Sequence, residues 1–146
     1  MLLVGNGKLI TWDSAKPFFS DGCVAIEGNL VKEVGSTEQI KAKYPEARFI
    51  DANRRIIMPG LINTHMHYYS TFARGMSTDS PPAKTFSDIL EGLWWRLDKM
   101  LTLEDVYYSA LVPMIDSVKN GVTTVFDHHA SPFAVRGSLN KIAEAA

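Results

Sequence analysis

The rhythm of hydrophobic and polar positions changes near residue 56. Before it, short apolar runs alternate with glycine turns. "GCVAIEGNLVKEVG" (22–35) has two β-rich arms around Gly28-Asn29, a pair that tolerates positive φ and suits a tight hairpin. "KLITW" before it and "RFIDANRRIIM" after it read as further strands. Between them, "STEQIKAKY" places Ser36 and Gln39 at capping-box spacing and stops before Pro45, which predicts one short helix. Residues 1–55 are therefore expected to form a small β-rich module.

From Ile56 the period alternates between strand and helix. "LINTHMH" follows Pro59, which disfavours helix, and reads as a strand. After a Gly/Ser/Pro-rich connection, "TFSDILEGLWWRLDKML" sets Phe86, Ile89, Leu90, Leu93, Trp94, Leu97 and Leu101 at helical spacing, with Thr85 and Asp88 as an N-terminal cap. On that stripe Trp94 is a packing residue, whereas Trp95 lies off its centre. "TLEDVYYSALVPMIDSVKN" predicts a second helix, started by Thr102 and Asp105, stopped by Gly121 and kinked at Pro113. "VTTVFDHH" is β-branched and strand-like, and "SLNKIAEAA" begins another helix. Strand, helices, strand, helix is the order of a parallel α/β sheet, in which ligands gather at the carboxyl ends of the strands. Both histidine groups lie at such ends.

Composition narrows the function. The chain has 146 residues, 46% of them hydrophobic, enough for a packed core. Lys and Arg number 15 against 16 Asp and Glu, and no basic cluster tracks a phosphate backbone, so nucleic acid is not an expected partner. The first apolar run breaks at Gly5-Asn6-Gly7-Lys8, too early for a signal-peptide core, and no later stretch reaches membrane-span length. A cytoplasmic protein without membrane contact is expected. The single cysteine, Cys23, excludes an intrachain disulfide and reads as a small buried packing residue.

The chemistry centres on "IIMPGLINTHMHYYS" (56–70). Alternate side chains of a strand share a face, so His65 and His67 project side by side and can both reach one metal ion. In "DHHASP" the adjacent His128 and His129 point to opposite sides of a strand, so at most one faces the same site. Parity at a loosening strand end leaves open which one. Asp127 shares a face with His129. Tyr68 and Tyr69 follow the histidine pair directly and are placed for a pocket wall, with Tyr68 the candidate substrate contact.

"IIMPGLINTHMH", preceded by the β-rich module and followed by "GVTTVFDHH", resembles the N-terminal part of the metal-dependent amidohydrolase superfamily, in its cytosine deaminase and triazine chlorohydrolase branch. "LWWRLDKML", "DVYYSALV" and "DHHASPF" are similar to the SsnA-like aminohydrolases, and the DHH element also to 8-oxoguanine deaminases. The resemblance implies a (β/α)8 barrel carrying a small composite β-sandwich. It implies His65 and His67 as metal ligands, with zinc as the first candidate metal and iron the second. It also implies hydrolysis of a non-peptide C–N bond by a metal-activated water.

The family's remaining ligands, a His, a His and an Asp on later strands, and its proton-shuttling acid have no counterpart here, so no catalytic residue is assigned. A barrel of this type needs about 250 residues, and Ile56 to Ala146 supplies 91. The expectation is an N-terminal fragment, with residues 56–146 as the first two β/α units. Two alternatives stand beside it: a non-catalytic fragment or interaction module, and a hydrolase of the same fold acting on a C–O or phosphoester bond. His128, His129 and Tyr68 are candidate substrate contacts. The expected partners are a small-molecule substrate and, for the full-length protein, further copies of itself.

Overall fold

The computed structural model describes residues 1–76 and 78–146; Ser77, in the Gly/Ser/Pro-rich connection, lies outside them. The chain forms two compact units, Met1–Pro59 and Gly60–Ala146.

In the first unit, strands β1 (Leu2–Ile10), β2 (Phe18–Glu27), β3 (Leu30–Ser36), β4 (Arg48–Asp51) and β5 (Ile56–Ile57) make one sheet in the order β3-β2-β1-β4. β1 to β3 are antiparallel neighbours, and one edge of β1 is taken in turn by β4 and β5, both parallel to it. The pairing of Ile56 and Ile57 with Lys8 and Leu9 carries this unit past residue 55. At the β2–β3 hairpin only Gly28 takes positive φ (62°), which matches a type II′ turn, so Asn29 does not use its tolerance for that region. The helix α1 (Thr37–Lys43) starts where the Ser36 hydroxyl accepts the Gln39 N–H. Burial alternates along β1, as a half-covered strand requires. Leu3, Cys23, Ala25 and Ile40 form the core, joined by Tyr44, Ala47 and Phe49. Burial pushes the Cys23 thiol up, with the Asp21 charge adding to it.

In the second unit, β6 (Leu61–Met66) and β7 (Val122–Asp127) pair in parallel, the arrangement that a helical crossover permits. A 3-10 helix (Tyr68–Ala73) leaves β6, and the crossover runs through α2 (Phe86–Ile89), a π-turn (Leu90–Trp94), α3 (Trp95–Met100) and α4 (Leu103–Lys119); α5 (Ser138–Ala145) follows β7. Both expected caps are complete reciprocal boxes built with Asp: Thr85 N–H donates to Asp88 at 2.9 Å and Thr102 N–H to Asp105 at 2.8 Å. Gly121, at φ 76°, ends α4, and Pro113 lies inside it.

The single amphipathic helix expected over 85–101 is interrupted. The π-turn inserts an extra residue per turn and rotates everything after it by about 100° relative to the α-helical register. The residues before and after the turn no longer share one buried face: Phe86 and Ile89 are exposed, and Asp98, off the expected stripe, is buried. Gly92 sits in that turn, where the Ser80 hydroxyl donates to its carbonyl at 3.2 Å. Among the described residues no helix is long and apolar enough to cross a membrane.

Candidate metal centre

Gly60 positions the first histidines. A Cβ there would stand 2.1 Å from Thr123 Oγ1, so only glycine lets the start of β6 lie this close to β7, where Leu61 N–H donates to the Gly121 carbonyl at 2.9 Å. β6 ends at Met66, and His67 is already the turn into the 3-10 helix. The side-by-side projection survives that turn: His65 Nε2 and His67 Nε2 are 3.1 Å apart, with their rings edge to face.

That separation suits either one N–H···N bond or two lone pairs converging on a single ion. With each nitrogen about 2.0–2.1 Å from an ion, the N–metal–N angle would be about 100°, between octahedral and tetrahedral. The donor set is neutral imidazole, suited to zinc or iron. The two residues therefore fit half of a divalent-metal site. Among the described residues no group of three or more His, Cys, Asp or Glu is arranged to hold an ion.

Of the two later histidines, the structure brings His128 to this pair. Its Nδ1 lies 3.3 Å from His67 Nδ1, and its main-chain oxygen 3.2 Å from the same atom. His129 is turned elsewhere: its Nε2 is 2.7 Å from the Ser131 hydroxyl, and its Nδ1 is buried without a partner. Burial lowers its pKa, against the raising effect of Asp127, so the ring favours its neutral form.

Tyr68 does not stand where a pocket wall beside the imidazoles was expected. It is 3% exposed and lines a cavity with Met114, Val125 and Leu139, because the 3-10 turn drives it into the packing against α4. Tyr69, the other candidate, does stand there, with its ring edge-on to both His67 and His129 at 5.8 and 5.9 Å. Burial, then the charges of Asp98 and Asp127, raise its phenol pKa and keep it a proton donor.

Asp98 is the residue that periodicity missed. It is 8% exposed, one carboxylate oxygen has no partner, and burial raises its pKa, with His128 acting the other way. The available signal was an acid set between Leu97 and Leu101 in an otherwise apolar stretch.

The model of the amidohydrolase family matches residues 56–146, and that of a bacterial imidazolonepropionase-like composite domain matches residues 22–47. A 5-methylthioadenosine/S-adenosylhomocysteine deaminase from Syntrophomonas wolfei is 32% identical over 129 residues, 86% of this chain and 28% of the relative. A 5'-deoxyadenosine deaminase from Methanosarcina barkeri is 33% identical, over 86% of this chain and 27% of that protein. Among solved structures, zinc-complexed atrazine chlorohydrolase from Arthrobacter aurescens superposes with a TM-score of 0.77 at 27% identity, covering 100% of this chain and 33% of that one. The chain thus spans about a third or less of the length of these proteins. The match includes the barrel portion of the fold, which is incomplete here.

Proposed function

Since this chain belongs to the amidohydrolase family, we propose that it carries the first two metal ligands of an aminohydrolase that cleaves a non-peptide C–N bond of a nitrogen heterocycle. The observation that carries this reading is the 3.1 Å approach of His65 Nε2 and His67 Nε2 at the end of β6. Relatives named as deaminases of adenosine derivatives support the heterocycle. In this reading residues 1–59, with β5 paired to β1, belong to a composite β-domain and 60–146 are the first two β/α units of the barrel. The intact protein is a cytoplasmic homo-oligomer acting on a small molecule.

His65 and His67 would hold the ion, zinc in first place and iron in second. When bound, it supplies Lewis acidity, activating water at neutral pH for attack on the ring carbon. The chain's own residues shape the space beside it. His128, exposed beside His67, meets the substrate. Tyr69 keeps its phenolic proton and its ring closes the space between His67 and His129. His129 stays neutral against Ser131 and holds the wall behind it.

The test is zinc content after loading and desalting, for a full-length form and its His65→Ala, His67→Ala double variant. Stoichiometric zinc in the first and none in the second is expected; equal content in both sinks the assignment. For the full-length form, ammonia release from aminated purines, pyrimidines and triazines, set against turnover of esters and lactones, reads the bond class.

The lack of a three-donor group among the described residues favours a second reading for the 146-residue segment alone: it binds without turning over. Heterocycle deamination by the purified segment would remove that reading.

A further inference from the structure

His65 and His67 serve one ion only when each Nε2 carries a lone pair, so the position of one proton on each neutral ring decides whether the site is ready. For His67 the surroundings favour one tautomer. A carbonyl oxygen can only accept. His67 Nδ1 faces the His128 main-chain oxygen at 3.2 Å, and that approach is attractive only with the proton on Nδ1. The opposite tautomer would set a nitrogen lone pair against an oxygen lone pair at that distance. His128 Nδ1, 3.3 Å away, can share the same proton as a second acceptor. With His67 protonated at Nδ1, His65 donates from its Nε2 to the free Nε2 of His67 at 3.1 Å, and both ring nitrogens of His67 find a partner without metal.

The oxygen of His128 is held in place by the ends of the two strands. His128 N–H donates to the Met66 carbonyl at 2.9 Å, and Asp127 Oδ1 accepts the Tyr68 N–H at 2.8 Å. Met66 and Asp127 are themselves register partners in the sheet. Asp127-His128 thus grips Met66, His67 and Tyr68 at three consecutive points. The Tyr68 amide begins the 3-10 helix, where no earlier carbonyl of that helix can take it, and a carboxylate is a strong acceptor for it.

We propose that Asp127 and the His128 carbonyl form a clamp that presets His67 with its proton on Nδ1 and its lone pair on Nε2, Asp127 being the positioning residue. The clamp's purpose rests on the metal reading above, while its geometry does not. It leaves only His65 to change tautomer when an ion enters. It also gives the DHH element a task that belongs to its backbone and its acid, apart from either imidazole.

The experiment is a long-range 1H–15N correlation spectrum of the histidine rings in the metal-free 146-residue chain, at about pH 8, where unperturbed imidazoles are neutral. A protonated Nδ1 and bare Nε2 on His67 are expected in the wild type. Asp127→Ala should mix the two tautomers and, in a full-length form, weaken zinc chloride binding by about tenfold, because it loosens the strand end that holds the His128 carbonyl against His67. Asp127→Asn keeps an oxygen acceptor and should restore the wild-type spectrum. A wild-type His67 protonated at Nε2 overturns the proposal, and so does an Asp127→Ala variant that keeps both tautomer and zinc affinity. If Asp127→Ala does not fold, the wild-type and Asp127→Asn spectra decide. Failure of a full-length form to bind zinc, with the expected tautomer, removes the metal reading and leaves the clamp; tight zinc in that form with the other tautomer removes the clamp alone.

Discussion

The two units place their cores differently. In Met1–Pro59 the sheet itself is the core: Leu3 and Cys23, on neighbouring strands, are 1% and 0% exposed. In Gly60–Ala146 no residue of β6 or β7 is buried; Ile62 and Phe126 are each 61% exposed, and the buried apolar positions Tyr68, Ala73, Leu101, Val106 and Ala110 lie on helices or the turns joining them. Parallel strands normally have both faces covered. Within this segment, where the barrel is incomplete, the strand that carries His65 is therefore held by its hydrogen bonds and end contacts more than by burial. This makes Gly60 at one end, and Asp127 at the other, matter beyond their size.

Four measurements break or sharpen that contrast. Leu3→Ala should cost the first unit about 3 kcal/mol, raising the rate of Cys23 labelling by about a hundredfold, whereas Ile62→Ala in β6 should change stability by under about 0.5 kcal/mol. Equal costs would mean that both sheets rest on burial. Gly60→Ala comes next, about 2 kcal/mol from overpacking against Thr123, read as lost hydrogen-exchange protection of the Leu61 amide; adding Thr123→Gly should recover part of it. Thr102→Ala removes the α4 cap and should lower the second unit's stability by about 1 kcal/mol, visible as a thermal shift with Cys23 labelling unaffected.

The smallest effect is one of pH. Burial depresses the His129 pKa, so its contribution to stability is complete above the ordinary histidine value and is lost as pH falls through that value toward the depressed one. In the first unit, Glu33 and Asp51 have lowered pKa values, from bonds to Lys43 and to the Asn53 N–H respectively, so their contribution persists until pH falls below the ordinary carboxylate range. Between pH 7 and 5 His129 should weaken the second unit before the first unit's carboxylates respond, while protonation of Asp98, whose pKa burial raises, acts the other way. His129→Gln should flatten the second unit's slope, and an unchanged slope in that variant would show that another group sets it.

What was legible in the sequence depended on distance along the chain. The Gly28 hairpin, the α1 start and both Asp capping boxes need only partners within a few residues, and all were readable. The parity of His65 and His67 was readable too, because two residues fix it. The π-turn was not, since Leu90–Trp94 has ordinary helical spacing and the departure depends on packing, with Ser80 against Gly92. Periodicity consequently left Asp98 outside the core and expected Phe86 within it. Nor could the sequence choose between His128 and His129, because that choice is made by His67, sixty-one residues from the nearer of the two. Of the two tyrosines after the pair only Tyr69 stands beside the imidazoles, for a similar reason: the chain turns at His67, and a strand's alternation stops applying.

The parallel pairing of β6 with β7 has a consequence in time. Leu61 meets Val122 only after sixty-one residues have been made and the intervening helices have brought the strands together, and closing a loop of that length delays the contact. The β2–β3 hairpin, joined by two residues, has no such wait. During synthesis the two imidazoles of β6 are present before the turn that supplies their acceptor carbonyl, so a newly made chain passes through an interval in which His67 is free to take either tautomer.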